Sequence, residues 1–260
     1  MRIRLLDMVA DHGTALAVNG AGRRGQSMGA GEPESSQCPR SHGLGARRCQ
    51  APGALARVAV VTGAGAFGAF GALVTESKLD LGRQDAARID PGAQRFDLGP
   101  GTLDSRLGAA MDSHRLDRAL SAGRQAIERA KLEGVAAISA RGGGAGAGMT
   151  NRAWHRLLNA GGSVELEDPD VALILKRHAP ALGRADPYQA LRCLGGFEHA
   201  ALVGSALAAA QLGLPWWAVG ASARIAVLLA LRLNPSARPW LHVPSVGCGE
   251  VSLVRLDARL

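Results

Sequence analysis

A short apolar run that leads into a glycine-rich loop most constrains what this chain can fold into. Residues 135–140 have the length and composition of a buried strand, and a glycine-rich stretch at 141–151 follows at once. A helix is predicted before the strand, with Ser113 as its N-cap and Gly134 at its end. A helix, a buried strand and a glycine loop in succession are typical of an α/β protein.

The same alternation continues toward the carboxyl terminus. Asp186 followed by Pro187 predicts a helix N-terminus, and Gly195 with Gly196 ends that helix. The apolar pattern then predicts a helix at 197–212, a buried strand at 215–219 and a helix at 223–233. The sequence therefore predicts an α/β fold with a mostly parallel, Rossmann-like sheet and helices on both faces.

The amino-terminal region is less regular than the rest of the chain. Glycine, arginine and serine dominate it beyond the first residues, and no apolar period is present there. Strands are predicted at 3–9, at 56–62 and at 94–98. The chain divides into four predicted segments: a first strand segment at 1–18, an irregular or disordered Gly/Arg-rich insertion at 19–55, an α/β core domain at 56–241, and a short tail at 242–260.

Charge and hydropathy limit the classes of partner. The chain of 260 residues carries a net charge of +8, which favours anionic ligands such as phosphates. Its basic residues are scattered and lack interleaved aromatic residues, so we expect no nucleic-acid partner. Residues 200–223 carry no charge and are long enough to cross a bilayer, but Gln211 and the break at Gly213 and Pro215 predict a buried helix, a turn and a strand. We therefore expect no membrane partner.

The cysteines give no sign of a metal site or of disulfides. They stand as Cys38, Cys49, Cys193 and Cys248, with no Cys-x-x-Cys pair and no histidine at ligand spacing. We expect buried or incidental thiols, no metal and no cofactor. The first residues also make a poor signal peptide, because Asp7 and other acids interrupt their apolar run. The predicted location is the cytoplasm.

Two glycine motifs are compatible with phosphate binding. Residues 63–68 follow a predicted strand and fit Gly-x-Gly-x-x-Gly, which leaves open an NAD(P)-binding oxidoreductase, although Tyr188 is not followed by the lysine of a short-chain dehydrogenase. Residues 142–148 follow the buried strand, and their backbone N–H groups, with Arg141, would cradle a phosphate as a nest. The second stretch lacks the Gly-Lys-Ser/Thr ending of a nucleotide-hydrolysing P-loop.

The most specific pattern lies between Asp186 and Leu241. It contains Asp-Pro, then Gly-Gly-Phe-Glu at 195–198, an alanine-rich helix, and Arg-Leu-Asn-Pro at 232–235. This order resembles the nicotinate-nucleotide:dimethylbenzimidazole phosphoribosyltransferase family, and Ala-Asp-His-Gly at 10–13 is similar to an early strand end of that family. The resemblance implies transfer of the ribose phosphate of nicotinate mononucleotide to 5,6-dimethylbenzimidazole in cobalamin lower-ligand assembly.

The resemblance also implies the site, the assembly and the cofactors. Members of the family act as homodimers without a metal or bound cofactor. Glu250, in Gly-Glu-Val at 249–251, looks like the family's catalytic glutamate, which removes the proton of the azole. The substrate-binding residues that the resemblance and the glycine loop imply are Asp11, His12, Arg141, Gly142, Gly143, Gly144, Gly195, Gly196 and Glu198.

Some positions depart from the family pattern and leave other interpretations open. Arg141 and Gly142 stand where the family carries Gly-Glu, and Val219 stands where it carries an aspartate before a glycine. A non-catalytic nucleotide- or azole-binding protein on the same fold is one alternative. A family member damaged by a shifted reading frame is another, because the stretch at 19–53 is rich in glycine and arginine and lies between family-like segments.

Overall fold

Six parallel strands form one sheet in the part of the chain that the structure describes. The computed structural model of this chain describes residues 2–10, 73–82, 92–158, 168–182 and 186–243. The strands are β1 (Arg2–Val9), β2 (Leu73–Asp80), β3 (Gln94–Arg95), β4 (Ala137–Gly143), β5 (Trp216–Ala218) and β6 (Leu241–His242). Their order is β3-β2-β1-β4-β5-β6, and every neighbouring pair is parallel. The prediction of an α/β fold with a mostly parallel, Rossmann-like sheet is confirmed.

Helices connect and cover the strands. They are α1 (Ser113–Leu132), α2 (Ala147–Leu158), α3 (Pro169–Leu182), α4 (Pro187–Leu194), α5 (Phe197–Gln211) and α6 (Gly220–Leu233), followed by a 3₁₀ helix at Pro235–Trp240. Almost every residue of α5 is buried, as expected for a helix without a polar face. None of the helices in the described ranges is long and apolar enough to span a bilayer.

The contact between α1 and α5 explains how a core with few aromatic residues is filled. A Cβ on Gly123 of α1 would overlap the carbonyl oxygen of Ala201, and one on Gly204 of α5 would overlap that of Leu120. The two backbones therefore touch directly where the helices cross. Small residues allow this close approach, and the apolar contact that large side chains usually provide comes here from main chain and alanine.

Several predicted elements form with small changes at their ends. β1 and α4 are confirmed, and Asp186 caps α4 by accepting a hydrogen bond from the Tyr188 N–H at 2.9 Å. The prediction that Ser113 caps α1 is wrong, because Asp112 does so by accepting from the Arg115 N–H at 2.7 Å. α6 begins at Gly220, earlier than predicted, and the strand predicted at 94–98 is reduced to β3.

The predicted glycine loop at 141–151 needs the largest correction. β4 continues through Gly143 because its last residues pair with β1, and α2 already begins at Ala147. The irregular stretch is therefore limited to residues 144–146. α3 was not predicted, and Pro180 inside it is a residue that usually ends a helix.

The carboxyl ends of β2, β1 and β4 lie side by side. Asp80 is in register with Val9, and Val9 with Gly143. The Ala10 N–H donates to the Gly143 carbonyl at 3.1 Å, which holds β1 and β4 together past their last paired residues. The strand order reverses between these two strands, and ligands of open α/β sheets bind in the crevice outside such a point. The strand predicted at 56–62, the motif at 63–68, the insertion at 19–55 and the predicted tail beyond Val243 lie outside the described residues. The tail predicted from residue 242 starts too early, because His242 pairs in β6.

Candidate functional site at the carboxyl edge of the sheet

Two glycines at the end of β4 have no room for a side chain. A Cβ on Gly142 would lie 2.8 Å from Leu202 Cδ1 and 3.2 Å from Glu198 Cγ. A Cβ on Gly144, whose φ is +156°, would overlap the backbone of Ala10. Because both positions are closed to larger residues, the strand end keeps a bare backbone beside the switch point of the sheet. Gly143 between them has open space on its own side.

A buried carboxylate and imidazole lie directly beneath this strand end. Oε1 of Glu198 is 2.8 Å from Nδ1 of His199, and both side chains are completely buried. Both residues belong to the first turn of α5, where a carboxylate is favoured by the helix dipole. Glu198 packs against the strand end, where its Cγ would lie 3.2 Å from a Cβ on Gly142.

His199 connects the pair to two other helices. Its Nε2 lies 3.0 Å from Oδ1 of Asn151 in α2, and the Asn151 amide and the Ser222 hydroxyl of α6 are 3.2 Å apart. We call the four residues Glu198, His199, Asn151 and Ser222 the buried polar network. It joins the amino-terminal part of α5 to α2 and α6, the two helices that begin just beyond the ends of β4 and β5.

Arg141 lies on the opposite face of the sheet from this network. Successive residues of a strand point to opposite faces, so Arg141 points away from the side where Gly142 meets α5. Its guanidinium donates to Oδ2 of Asp7 at 2.9 Å and lies 3.8 Å from Oε1 of Glu76. The side chain is more than half exposed. The structure thus places Arg141 at the carboxyl edge of the sheet, where its guanidinium interacts with the carboxylates of Asp7 and Glu76.

The remaining predicted residues fall into two groups. Gly195 and Gly196 join α4 to α5, where the Gly195 N–H donates to the Leu191 carbonyl at 2.8 Å and the Gly196 N–H to His199 Nδ1 at 3.3 Å. They shape the start of α5 and so position Glu198. Asp11, His12 and Glu250 lie outside the described residues, although Ala10, the residue before Asp11, lies at the crevice.

Sequence reasoning missed His199, Asn151, Ser222 and Asp80. His199 directly follows the Gly-Gly-Phe-Glu motif, and this was the one available signal. Asn151 and Ser222 are 71 positions apart in the chain, and no local pattern relates them. Asp80 ends a strand that was not predicted.

The residues that the structure describes form neither a metal site nor a reactive thiol. Within the described ranges no three histidine, cysteine, aspartate or glutamate side chains converge to hold an ion. Cys193 is free and buried in α4, and burial raises the pKa of its thiol. A protonated, buried thiol is a poor nucleophile and metal ligand, so Cys193 contributes packing.

Comparison with known proteins finds matches to part of this chain. A family model described as phosphoribosyltransferase matches residues 170–250. The nicotinate-nucleotide–dimethylbenzimidazole phosphoribosyltransferase of Pseudomonas putida is 37% identical over 177 residues, and that of Azotobacter vinelandii is 38% identical over 183 residues. These matches support a relationship to the nicotinate-nucleotide:dimethylbenzimidazole phosphoribosyltransferase family over the matched part of the chain.

The extent of these matches is limited. Each of these two alignments covers 63% of this chain and 50% of the relative, so the chain spans about half the length of the curated phosphoribosyltransferases that it matches. A crystal structure of the phosphoribosyltransferase from Thermus thermophilus superimposes with a TM-score of 0.64 at 24% identity, covering 94% of this chain and 68% of that one. This structural similarity establishes the fold.

Proposed function

We propose that this chain transfers the phosphoribosyl group of nicotinate mononucleotide to 5,6-dimethylbenzimidazole, a step in cobalamin lower-ligand assembly. The observation that carries the proposal is the bare strand end of β4 at the switch point of a doubly wound sheet, in a chain 37% identical to a protein named for this transfer. A backbone without side chains lets a phosphate approach N–H groups closely.

The reaction exchanges one nitrogen for another at the anomeric carbon. A ring nitrogen of dimethylbenzimidazole forms the new C–N bond, and the bond to nicotinate breaks with its electron pair leaving on the pyridine nitrogen. The proton of the azole goes to a carboxylate base. The protein's tasks are to hold the phosphate, to align the two rings and to supply that base.

The proposed roles follow the position of each residue. The backbone of Gly142, Gly143 and Gly144 holds the phosphate, with Arg141 as the nearby cation. The start of α5 lies under that loop and is shaped by Gly195, Gly196 and Glu198. The other members of the buried polar network hold Glu198 in its orientation. From the resemblance, Asp11 and His12 complete the substrate site and Glu250 serves as the base.

A non-catalytic nucleotide- or azole-binding protein is the second candidate. Gly142, which stands where the family carries a glutamate, has no room for a side chain beside Leu202 and Glu198. Val219, which stands where the family carries an aspartate, holds β5 to β4 through its N–H and the Ala140 carbonyl at 2.9 Å. Each of the two positions thus holds a residue that makes a structural contact and carries no carboxylate.

We also propose a homodimer in the cytoplasm. Leu103 and Leu107 lie in one segment and are 60% and 75% exposed, which suits a surface covered by a second copy. The free, buried Cys193 is compatible with a reducing compartment. Sedimentation of the purified protein, compared with a Leu107→Asp variant, tests the dimer.

The transferase proposal is tested by incubating the purified protein with nicotinate mononucleotide and dimethylbenzimidazole and separating the products by chromatography. We expect α-ribazole phosphate and free nicotinate in equal amounts. Glu250→Gln should lower the rate about 100-fold or more, the usual contribution of a general base. Glu128→Gln, an exposed carboxylate on α1, is the matched control.

Each outcome of this assay distinguishes between the two candidate functions. Product formation that Glu250→Gln leaves unchanged removes the assignment of the base and keeps the transfer. An absence of product together with saturable binding of dimethylbenzimidazole favours the non-catalytic binding protein. An absence of product together with an absence of binding of both nicotinate mononucleotide and dimethylbenzimidazole refutes the two candidates.

A further inference from the structure

One asparagine side chain connects three helices near their amino-terminal ends. Asn151 is the fifth residue of α2, and its Oδ1 lies 3.0 Å from Nε2 of His199, the third residue of α5. The same amide is 3.2 Å from the hydroxyl of Ser222, the third residue of α6. His199 and Ser222 are both buried. Asn151 therefore holds the starts of α2, α5 and α6 relative to one another.

The helical turn that carries Asn151 is bonded directly to the proposed phosphate loop. The Gly144 carbonyl accepts from the Ala147 N–H at 3.2 Å, and the Gly146 carbonyl accepts from the Met149 N–H at 3.2 Å. α2 thus begins as a continuation of the loop. A displacement of the start of α2 therefore moves the backbone at Gly144, which the proposed function assigns to the phosphate.

The start of α6 lies at the same edge of the sheet. α6 follows β5, and the Val219 N–H, just before the helix, donates to the Ala140 carbonyl of β4 at 2.9 Å. β4 and β5 are neighbouring parallel strands, so the helices that follow them begin side by side. The bond between Asn151 and Ser222 sets the spacing of these two helix starts.

The connections between strands and helices do not fix this spacing by themselves. Gly146 precedes α2 with a φ of +83°, and Gly220 begins α6 with a φ of +82°. A Cβ on Gly220 would meet no atom of the described residues within 4 Å, so packing does not confine the backbone there. Glycine permits more backbone conformations than any other residue. The hydrogen bonds of Asn151 supply the constraint that these connections lack.

The buried hydroxyl of Ser222 gives the arrangement one preferred geometry. A hydroxyl removed from water is unfavourable without a hydrogen-bond partner, and Asn151 provides that partner. Hydrogen bonds weaken steeply when their angles change, whereas apolar contact is non-directional. A shifted α2 would weaken the bonds to Ser222 and to His199 together. The buried polar network therefore favours a single position of the loop.

We infer that Asn151 and Ser222 are positioning residues for the phosphate of the nucleotide substrate, an inference that rests on the proposed function for the identity of that substrate. Neither side chain touches the ligand. The two residues hold the start of α2, and with it the backbone at Gly144, in the geometry that presents N–H groups to a phosphate. Loss of either side chain weakens phosphate binding and leaves the chemical step intact.

The test measures the affinity for the substrate with and without its phosphate. Nicotinate mononucleotide and nicotinate riboside, which lacks the phosphate, are titrated calorimetrically into the wild type, Ser222→Ala, Asn151→Ala and the double variant. Each single variant should bind the mononucleotide about tenfold more weakly, the effect of weakening a hydrogen bond to a charged group. Its affinity for the riboside should not change. The double variant should resemble the weaker single variant, because the two residues act through one bond.

Ser205→Ala is the matched control for Ser222→Ala. Ser205 is a completely buried serine of α5, and its hydroxyl accepts from Nε1 of Trp216, the first residue of β5, at 3.1 Å. The control removes a buried hydroxyl away from the carboxyl edge and should leave the affinity for the mononucleotide unchanged. Equal losses of affinity in the two serine variants overturn the inference. An unchanged affinity in Ser222→Ala, or an equal loss for the riboside, does so as well.

The outcome is separable from that of the transferase assay. Binding that is weakened in Ser222→Ala and not in Ser205→Ala, in a protein that forms no α-ribazole phosphate, keeps the positioning role and refutes the transfer. Where product forms, Ser222→Ala should raise KM for the mononucleotide about tenfold and keep kcat. A lowered kcat with an unchanged KM keeps the transfer and refutes the positioning role. A wild-type protein that does not bind the mononucleotide refutes both, and this result requires no variant to fold.

Discussion

The two faces of the sheet at the end of β4 are built on different principles. On the α5 face, Gly142 lies against Glu198 and Leu202, and the completely buried pair of Glu198 and His199 is connected to α2 and α6 through the buried polar network. On the other face, Arg141 meets Asp7 and Glu76 through ion pairs that water reaches. Two neighbouring residues of β4 therefore have different surroundings. Gly142 packs against buried residues of α5, and Arg141 belongs to a surface cluster of ion pairs with Asp7 and Glu76.

This difference indicates which groups determine stability and which are available to a ligand. Removing one member of a buried pair leaves the other in a medium of low polarity, whereas an exposed pair is replaced by water at little cost. We therefore expect stability to depend on the α5 face and ligand binding to depend on the backbone and the opposite face. Three experiments test this comparison, and a fourth measures the contribution of a site remote from both faces.

Glu198→Ala should have the largest effect. The substitution removes the carboxylate partner of His199 inside the protein, for which a loss of about 3–5 kcal/mol in the free energy of unfolding is typical. Urea denaturation followed by circular dichroism measures this loss. Glu76→Ala makes the same chemical change on the exposed face and should cost less than about 1 kcal/mol. Equal losses in the two variants would refute the difference between the faces.

Gly142→Ala should have the second largest effect. The added Cβ would meet Leu202 at 2.8 Å and the Met8 carbonyl oxygen at 3.3 Å, so we expect a loss of about 1–3 kcal/mol from overpacking. Gly143→Ala is the matched control, because its Cβ meets no atom within 4 Å. Thermal unfolding compares the two variants. A melting temperature of Gly142→Ala equal to that of the control would show that α5 lies further from the strand end than described.

Arg141→Ala should separate binding from stability. We expect a change in the free energy of unfolding below about 1 kcal/mol, because the ion pairs with Asp7 and Glu76 are exposed. The affinity for nicotinate mononucleotide should fall about tenfold, since a charged hydrogen bond to phosphate is lost. Fluorescence or calorimetric titration measures this, with Arg124→Ala on the exposed side of α1 as control. An unchanged affinity would restrict Arg141 to the surface cluster.

The smallest effect is expected at the far edge of the sheet. His242 of β6 stacks on Trp217 with ring centroids 4.5 Å apart, and burial lowers the pKa of His242 from 6.5. The folded state therefore favours the neutral ring, and its stability falls as the pH drops below about 6.5, where the unfolded chain binds the proton more readily. His242→Phe should flatten this dependence.

The pH effect is measured as the melting temperature at pH 7.5 and pH 5.5 in the wild type and in His242→Phe. The two proteins should differ in their pH response by roughly 2 °C, the shift that a fraction of 1 kcal/mol produces in a domain of this size. A His242→Phe variant with the full wild-type dependence would assign the titration to other groups.

Local signals allowed most of the fold to be predicted. Asp186 and Pro187 mark the start of α4, and the long apolar pattern predicts α5 almost to the residue. These signals succeed because helix caps and apolar periodicity act between residues close in the chain. α3 was not predicted because Pro180 lies inside it and the helix depends on packing to persist.

The site could be predicted only in part. The glycines at 142–144 were identified as a phosphate loop, but the structure shows that Gly142 and Gly143 still belong to β4, because pairing with Met8 and Val9 extends the strand. Glu198 was identified through its motif. The reason for the burial of Glu198 was not predicted, because Gly142, which lies against it, is distant in the chain and meets it only through folding.

The sequence by itself determined the alternation of strands and helices, the positions of the glycines, and the resemblance to a family. These features depend on residue types and short spacings, which a linear chain already contains. The tertiary structure alone decided that Asp80, Val9 and Gly143 lie in register across three strands, and that His199 meets Asn151 and Ser222. Such contacts join residues tens of positions apart, and they arise from strand order and helix packing rather than from local preference.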